Sequence, residues 1–203
     1  MSNKFHEIAF TDSVKEAQSH YGSRAHYSKF QGGAEKNATL SDIEADFIGQ
    51  RDGFYMATVG ETGHPYIQFR GGKAGFLKVI DEHTLGYADF RGNLQYISVG
   101  NLAVNNKAAL FLMDYPTQRR LKILADVEVK DAADAPTLIE KLAVKDYKAK
   151  IERAVIFHIE AFDWNCPQHI TPRYTIDEIR VMIAPLNDTI EKLERELAEL
   201  KRV

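Results

Sequence analysis

At 203 residues, with 44% hydrophobic and 27% charged side chains, the chain has the make-up of one globular domain with an appendage, able to bury roughly 70% of its unfolded surface. A formal charge of −3 offers no basic excess for nucleic acid or an anionic membrane. The single cysteine, Cys166, excludes an intramolecular disulfide, residues 1–10 lack the basic start and apolar run of a secretory leader, and no apolar run approaches a membrane span, so a cytoplasmic location is expected.

Residues 6–37 hold Gly22, Gly32 and Gly33 among scattered polar side chains and predict an irregular N-terminal arm with one short helix. Ser41-Asp42-Ile43-Glu44 is a capping box, in which serine and glutamate each satisfy a backbone N–H that the first helical turn leaves free. It opens a short helix with Ile43, Phe47 and Ile48 on one face, closed by residues 50–53. Strand signals follow. Phe54-Tyr55-Met56-Ala57-Thr58-Val59 is a compact apolar run, Glu61-Thr62-Gly63-His64 is turn chemistry, and residues 65–69 return as the second arm of a hairpin. Residues 75–80 and 84–88 are the next strands, joined by Asp81-Glu82-His83. Residues 93–104 carry Leu94, Ile97 and Leu102 and predict a helix beginning at Asn93 with a break at Gly100. The apolar run 108–115 predicts a strand buried on both faces. Residues 121–129 alternate, with Leu121, Ile123, Ala125, Val127 and Val129 on one side; 136–144 is a short amphipathic helix and 153–162 the last strand. These six or so strands have connections too short for parallel crossovers, so the fold is mainly β: an antiparallel closed or split barrel with peripheral helices.

Thr175-Ile176-Asp177-Glu178 is a second capping box. From Leu186 the apolar residues Ile190, Leu193, Leu197 and Leu200 follow at steps of four and three, a heptad seam on an amphipathic helix. Pro185 fits the first turn of a helix and breaks a continuous one, which predicts a short helix and then a longer one to about Lys201. The seam has two readings, packing on its own domain or against a partner subunit, and the pattern leaves both open. The chain thus divides into an arm over residues 1–40, a barrel over 41–170 and a helical extension over 171–203, within one structural domain.

Chemistry-bearing side chains are densest from Arg70 to Asn101. Arg70-Gly71-Gly72-Lys73, Lys78 and Asp89-Phe90-Arg91-Gly92-Asn93 set cations beside glycines, a combination that brings charge and backbone N–H groups to an anion such as phosphate. Asn93, Gln95 and Asn101 offer donor–acceptor edges to a planar ring, and the expected helix start at Asn93 favours phosphate. The plainer reading is turn residues and solvated charges. No GxxxxGK[ST] and no GxGxxG in a strand–helix unit is present, which excludes a P-loop and argues against a Rossmann site. Cys166 and His169 fit no hydrolase pattern, and the histidines show no metal-ligand spacing, so no metal is expected.

Pro65-Tyr66-Ile67-Gln68-Phe69-Arg70-Gly71-Gly72, Gly75-Phe76-Leu77-Lys78, Asp89-Phe90-Arg91-Gly92-Asn93 and Leu121-Lys122-Ile123-Leu124-Ala125 resemble the flavin-binding core of the pyridoxamine 5′-phosphate oxidase-like family. Trp164-Asn165-Cys166-Pro167-Gln168-His169-Ile170 is similar to the C-terminal signature of one branch of it. The resemblance spans roughly residues 40–200 and implies an FMN-binding split β-barrel, a homodimer, and FMN at the subunit interface. It puts Arg70, Lys73 and Lys78 on or near the strand that meets the FMN phosphate and ring and makes residues 89–95, with Asp89, Arg91, Asn93 and Gln95, the second binding segment. Asn101 and Trp164, the latter on a loop near the flavin and packing on it or on the core, complete the expected cofactor set. True pyridoxamine 5′-phosphate oxidases carry Arg, three apolar residues, then Lys; here two glycines follow Arg70, and the segment from Trp164 replaces their substrate-binding Arg/His motif. The branch is therefore distinct from the vitamin B6 enzymes.

The expected activity is a flavin-dependent oxidoreductase acting on a small-molecule substrate or electron donor, with no side-chain nucleophile and with Arg70 or Lys73 favouring the anionic reduced ring. The alternative is a non-catalytic flavin carrier or sensor, or a barrel that binds haem or another tetrapyrrole.

Overall fold

In the computed structural model, which describes residues 3–30 and 36–201, alternating side chains and short turns build seven antiparallel strands. They are β1 (Gly53–Val59), β2 (Pro65–Gly71), β3 (Lys78–Asp81), β4 (Thr84–Phe90), β5 (Lys107–Asp114), β6 (Arg119–Asp131) and β7 (Ile151–Trp164). The order β2-β1-β5-β6-β7-β4-β3 runs from edge to edge without closing, a split rather than a closed barrel. Helices α1 (Lys4–Ala9), α2 (Asp12–His20), α3 (Arg24–Tyr27), α4 (Asp42–Gly49), α5 (Ile97–Val104), α6 (Pro136–Leu142) and α7 (Ile176–Leu200) complete the described elements, with a 3-10 turn at Ser28–Phe30.

The chain forms two compact units. One comprises the residues up to Asp114 with Arg119–Cys166; the other comprises Tyr115–Gln118 and the chain from Pro167 onward. In the first, the core lies where the period-two faces of the strands meet. Leu110 and Leu112 of β5, Leu121 and Ile123 of β6 and Phe157 of β7 are essentially inaccessible. Four aromatics organise it: Phe54 stacks on Phe76 at 5.8 Å, Tyr87 on Phe157 at 5.9 Å, and Phe54 meets Tyr87 edge-on at 5.6 Å.

The α4 capping box ties helix to barrel. Ser41 donates to Glu44 Oε2 through its backbone N at 3.0 Å and its hydroxyl at 2.5 Å, and the Trp164 indole donates to Oε1 at 2.7 Å. Burial alone would raise the Glu44 carboxyl; the donors from Ser41 and Trp164 outweigh it and hold the group below its ordinary value of 4.5. A depressed native pKa stabilises the fold fully above the unfolded value and loses that contribution as pH falls through the native one. The stability gap between the wild type and Glu44→Gln, measured by denaturant unfolding, is therefore expected to shrink on acidification below 4.5. A gap constant from about pH 7 to about pH 3 would contradict this.

Several expectations change. The arm is three short helices and a 3-10 turn rather than an irregular stretch with one helix, while Gly32 and Gly33 lie outside the described residues. Ile43 is 63% exposed and leaves the face it was to share with buried Phe47 and Ile48, because the buried side of the helix is the one that carries Glu44. Only one side of β5 is buried: Ala108, Leu110 and Leu112 face in, Ala109 is exposed and Phe111 half-buried. α5 begins at Ile97, four residues after Asn93, and continues through Gly100, since a helical glycine with packed neighbours costs only about 1 kcal/mol.

In the second unit, Gln118 Nε2 donates to Ile170 O at 2.5 Å and the Arg173 guanidinium lies 5.0 Å from the Tyr115 ring centre. Thr175 and Glu178 form the expected capping box. α7 then runs unbroken through Pro185, contrary to the two helices expected. The proline forfeits one backbone bond, and 25 residues of continuous helix carry that cost.

Candidate functional site

The site is built from β2, β4, β7 and the segment leading into α5. On β2, Tyr66, Gln68 and Arg70 alternate with exposed Pro65, Ile67 and Phe69, so every second side chain turns toward the cleft. Gln68 Nε2 donates to the hydroxyl of Ser98 in α5. Register between β4 and β7 sets Asp89 opposite Arg153.

Asp89 is 1% exposed and held by two guanidiniums. Arg153 donates to Oδ2 through Nε at 3.1 Å and Nη2 at 2.9 Å, and Arg70 Nη1 lies 3.2 Å from Oδ1. A second carboxylate, Glu152, sits 3.1 Å from Arg153 and 3.5 Å from Arg91. Three guanidiniums thus face two carboxylates, and the group keeps one positive charge in excess. Arg70 Nε is buried without a close hydrogen bond among the described residues, and the buried Tyr87 hydroxyl, the nearby acceptor, is likewise without one. Burial, and then the nearby Asp89 carboxylate, push the Tyr87 phenol well above its usual range, so it stays protonated beside this cluster.

The loop from Gly92 to Tyr96 borders the same cleft. Asn93 and Gln95 clasp each other: Gln95 N donates to Asn93 Oδ1 and Asn93 Nδ2 to Gln95 Oε1, both at 3.2 Å. Leu94 and Tyr96 have φ of 64° and 52°. Side chains with a Cβ pay to enter this left-handed region, and such strain gathers at ligand-binding loops. Tyr96 is fixed from two sides, donating to Glu152 at 3.3 Å and receiving the Arg153 guanidinium 5.0 Å from its ring centre.

Of the residues expected at a cofactor, Arg70, Asn93 and Gln95 line one cleft; Asp89 holds Arg70, and Arg91 reaches the cluster through Glu152. The others lie elsewhere. Lys73 Nζ donates to Asp146 O at 3.1 Å, and Lys78 Nζ to Lys141 O and Ala143 O at 2.8 and 3.1 Å, so both stand against backbone carbonyls around α6. Asn101 donates to buried Thr58 at 3.0 Å. Trp164 packs edge-on against Phe47 at 4.7 Å under the Arg119 guanidinium. Arg153 was missed by sequence reasoning, together with Tyr66, Gln68 and Ser98. The β-alternation of residues 65–71 was the one signal that put Tyr66 and Gln68 on the face of Arg70. Among the described residues no group of three or more His, Cys, Asp or Glu side chains could hold a metal, and no helix is long and apolar enough to cross a membrane.

The open antiparallel sheet with peripheral helices is the fold of the split-barrel, pyridoxamine 5′-phosphate oxidase-like proteins. A candidate pyridoxamine 5′-phosphate oxidase from Lactobacillus delbrueckii superposes with a TM-score of 0.50 at 22% identity, over 63% of this chain and 96% of that one. HupZ of Group A Streptococcus superposes with a TM-score of 0.50 at 17% identity, over 66% of this chain and 99% of the other. At this identity the likeness is one of fold. No protein-family model matches the chain, and no curated protein matches it.

Proposed function

We propose that this protein is a cytoplasmic, homodimeric FMN-dependent oxidoreductase whose flavin sits in the cleft around Arg70 and Arg153. The observation that carries the reading is a cationic cleft, three guanidiniums against two carboxylates, beside amide and hydroxyl groups on Gln68, Asn93, Gln95 and Ser98. FMN matches both halves: its phosphate takes charge-assisted bonds from Arg, and its flat ring presents donors and acceptors to the amides. When bound, FMN supplies hydride or electron chemistry toward a small-molecule substrate or electron donor. The protein's part is binding, orientation and charge. Arg70 favours negative charge nearby, and Asp89 and Arg153 hold Arg70 in place.

The outer face of the same sheet supports the homodimer. Tyr55, Ile67 and Phe69 are 36%, 64% and 59% exposed and adjoin Ala57 and Phe111 through the β1–β2 and β1–β5 registers. Phe69 lies across the paired Gly53 and Gly71, where any Cβ would collide with its ring. Contiguous apolar surface of this kind marks an interface, and a second copy seated on β2 would border the cleft formed on that strand's other side.

An absorption spectrum of the purified chain, repeated after adding excess FMN and desalting, tests the proposal. Retained flavin at about one per subunit is expected, with turnover once a reductant is supplied. Arg70→Ala is expected to weaken FMN binding roughly 10- to 150-fold, the equivalent of about 1.5–3 kcal/mol for a charge-assisted contact. Absence of retained flavin would overturn the reading, and a Soret band retained after adding haemin and desalting would replace it with a tetrapyrrole protein.

A further inference from the structure

α7 carries a surface that the flavin reading does not use. Its isoleucines and leucines fall at unbroken steps of three and four over the whole of Ile176–Leu200, so the heptad seam begins ten residues before Leu186. The a positions are Ile176, Ile183, Ile190 and Leu197; the d positions are Ile179, Leu186, Leu193 and Leu200. All are exposed, from 40% at Ile183 to 73% at Leu200. At 1.5 Å per residue the seam is about 37 Å long.

The width of the stripe identifies its occupant. A helix laid on a globular core widens its apolar face at the e or g positions. Here the e positions are Arg180, Asn187, Glu194 and Lys201, and of the g positions Thr175, Met182, Thr189 and Glu196 only Met182 is apolar. That narrow seam fits another helix with the same pattern. Pro185 falls at a c position and Val181, whose carbonyl the proline leaves free, at an f position, so the fault in the ladder faces away from the seam.

We propose that α7 pairs with α7 of a second copy as a parallel, in-register, two-stranded coiled coil. The sorting of branched residues sets strand number and direction. From Ile183 to Leu193 every a position is isoleucine and every d position leucine, the arrangement that favours parallel dimers, where a packs against a and d against d. An antiparallel pair would mix a with d and leave the sorting without purpose. Charge agrees with the parallel form, in which Glu196 at g meets the partner's Lys201 at the following e. Antiparallel pairing would offer Arg180 to Glu194, so the sorting of isoleucine and leucine decides the direction. A parallel coil has the two-fold symmetry of an isologous dimer and does not depend on pairing through the sheet.

The test uses the full chain carrying Cys166→Ser, with one new cysteine at a time, under mild oxidation. Leu200→Cys is expected to give about tenfold more covalent dimer than the outward-facing Glu199→Cys, because a disulfide needs Cα atoms within about 7 Å. Adding Leu193→Glu to Leu200→Cys is expected to reduce cross-linking to the Glu199→Cys level, and Leu193→Ile to preserve it. Equal cross-linking at positions 199 and 200 would overturn the proposal. So would insensitivity to Leu193→Glu, or preferential cross-linking of Ile176→Cys chains to Leu200→Cys chains, the signature of antiparallel pairing. None of these outcomes depends on flavin, so failure of the FMN spectrum and failure of the coil are separate results.

Discussion

Arg153→Ala is expected to destabilise the protein by about 3–5 kcal/mol, the usual cost of stripping a partner from a buried ion pair. Asp89 shows 2% of its side chain to solvent and Arg153 12%, so water does not replace the two lost N–H donors to Oδ2. Arg70 remains at 3.2 Å on the other oxygen, but a single guanidinium leaves half of the carboxylate without a donor. The same change frees Glu152 from one of its cations and removes the guanidinium that braces Tyr96. Denaturant unfolding would show a lower midpoint with an unchanged slope. The paired change Asp89→Leu with Arg153→Met is not expected to recover the loss, because it takes from Arg70 the carboxylate that holds it and from Glu152 one of its cations. A midpoint for Arg153→Ala within about 0.5 kcal/mol of wild type would show that the cluster is solvated and would weaken the case for a pre-formed anion site.

Phe157→Ala is expected to lose a similar amount, about 3–5 kcal/mol, for a different reason. Phe157 is fully buried on β7, opposite Val127 of β6 on one side and Leu85 of β4 on the other. Its ring stacks on Tyr87 at 5.9 Å and meets Phe54 edge-on at 6.1 Å. Truncation removes transfer free energy and leaves a cavity that three paired strands cannot close. Because Tyr87 would lose its stacking partner two residues from Asp89, cleft and core should weaken together, read, under the proposed function, as lower FMN affinity alongside the lower midpoint. A loss under about 1 kcal/mol would mean that the sheet collapses to fill the space.

Much of the architecture was legible locally. Period-two alternation marked the inward face of residues 121–129, turn chemistry separated the strands, and both capping boxes stand where Ser41 and Thr175 announced them. Errors came where tertiary context outweighs a local signal. Pro185 promised a break that a long helix tolerates. Ile43 matched a helical face but met no core, and residues 108–115 read as apolar on both sides because Phe111 belongs to an outer face that is itself apolar. Lys73 and Lys78 fitted an anion site by residue type, and the structure sets them beside backbone carbonyls of α6 and the segment after it, a placement with no local signature.

By itself the sequence determined a mainly β fold, the positions of most strands, the helix caps and the seam along the last helix, because periodicity, turn formation and capping act within a few residues. The tertiary structure alone decided which charges meet. Asp89 and Arg153 are 64 residues apart, and only the β4–β7 register sets them opposite each other. Strand neighbours and register follow from long-range burial of whole faces, so the cationic cleft, unlike the strands that form it, has no local signature.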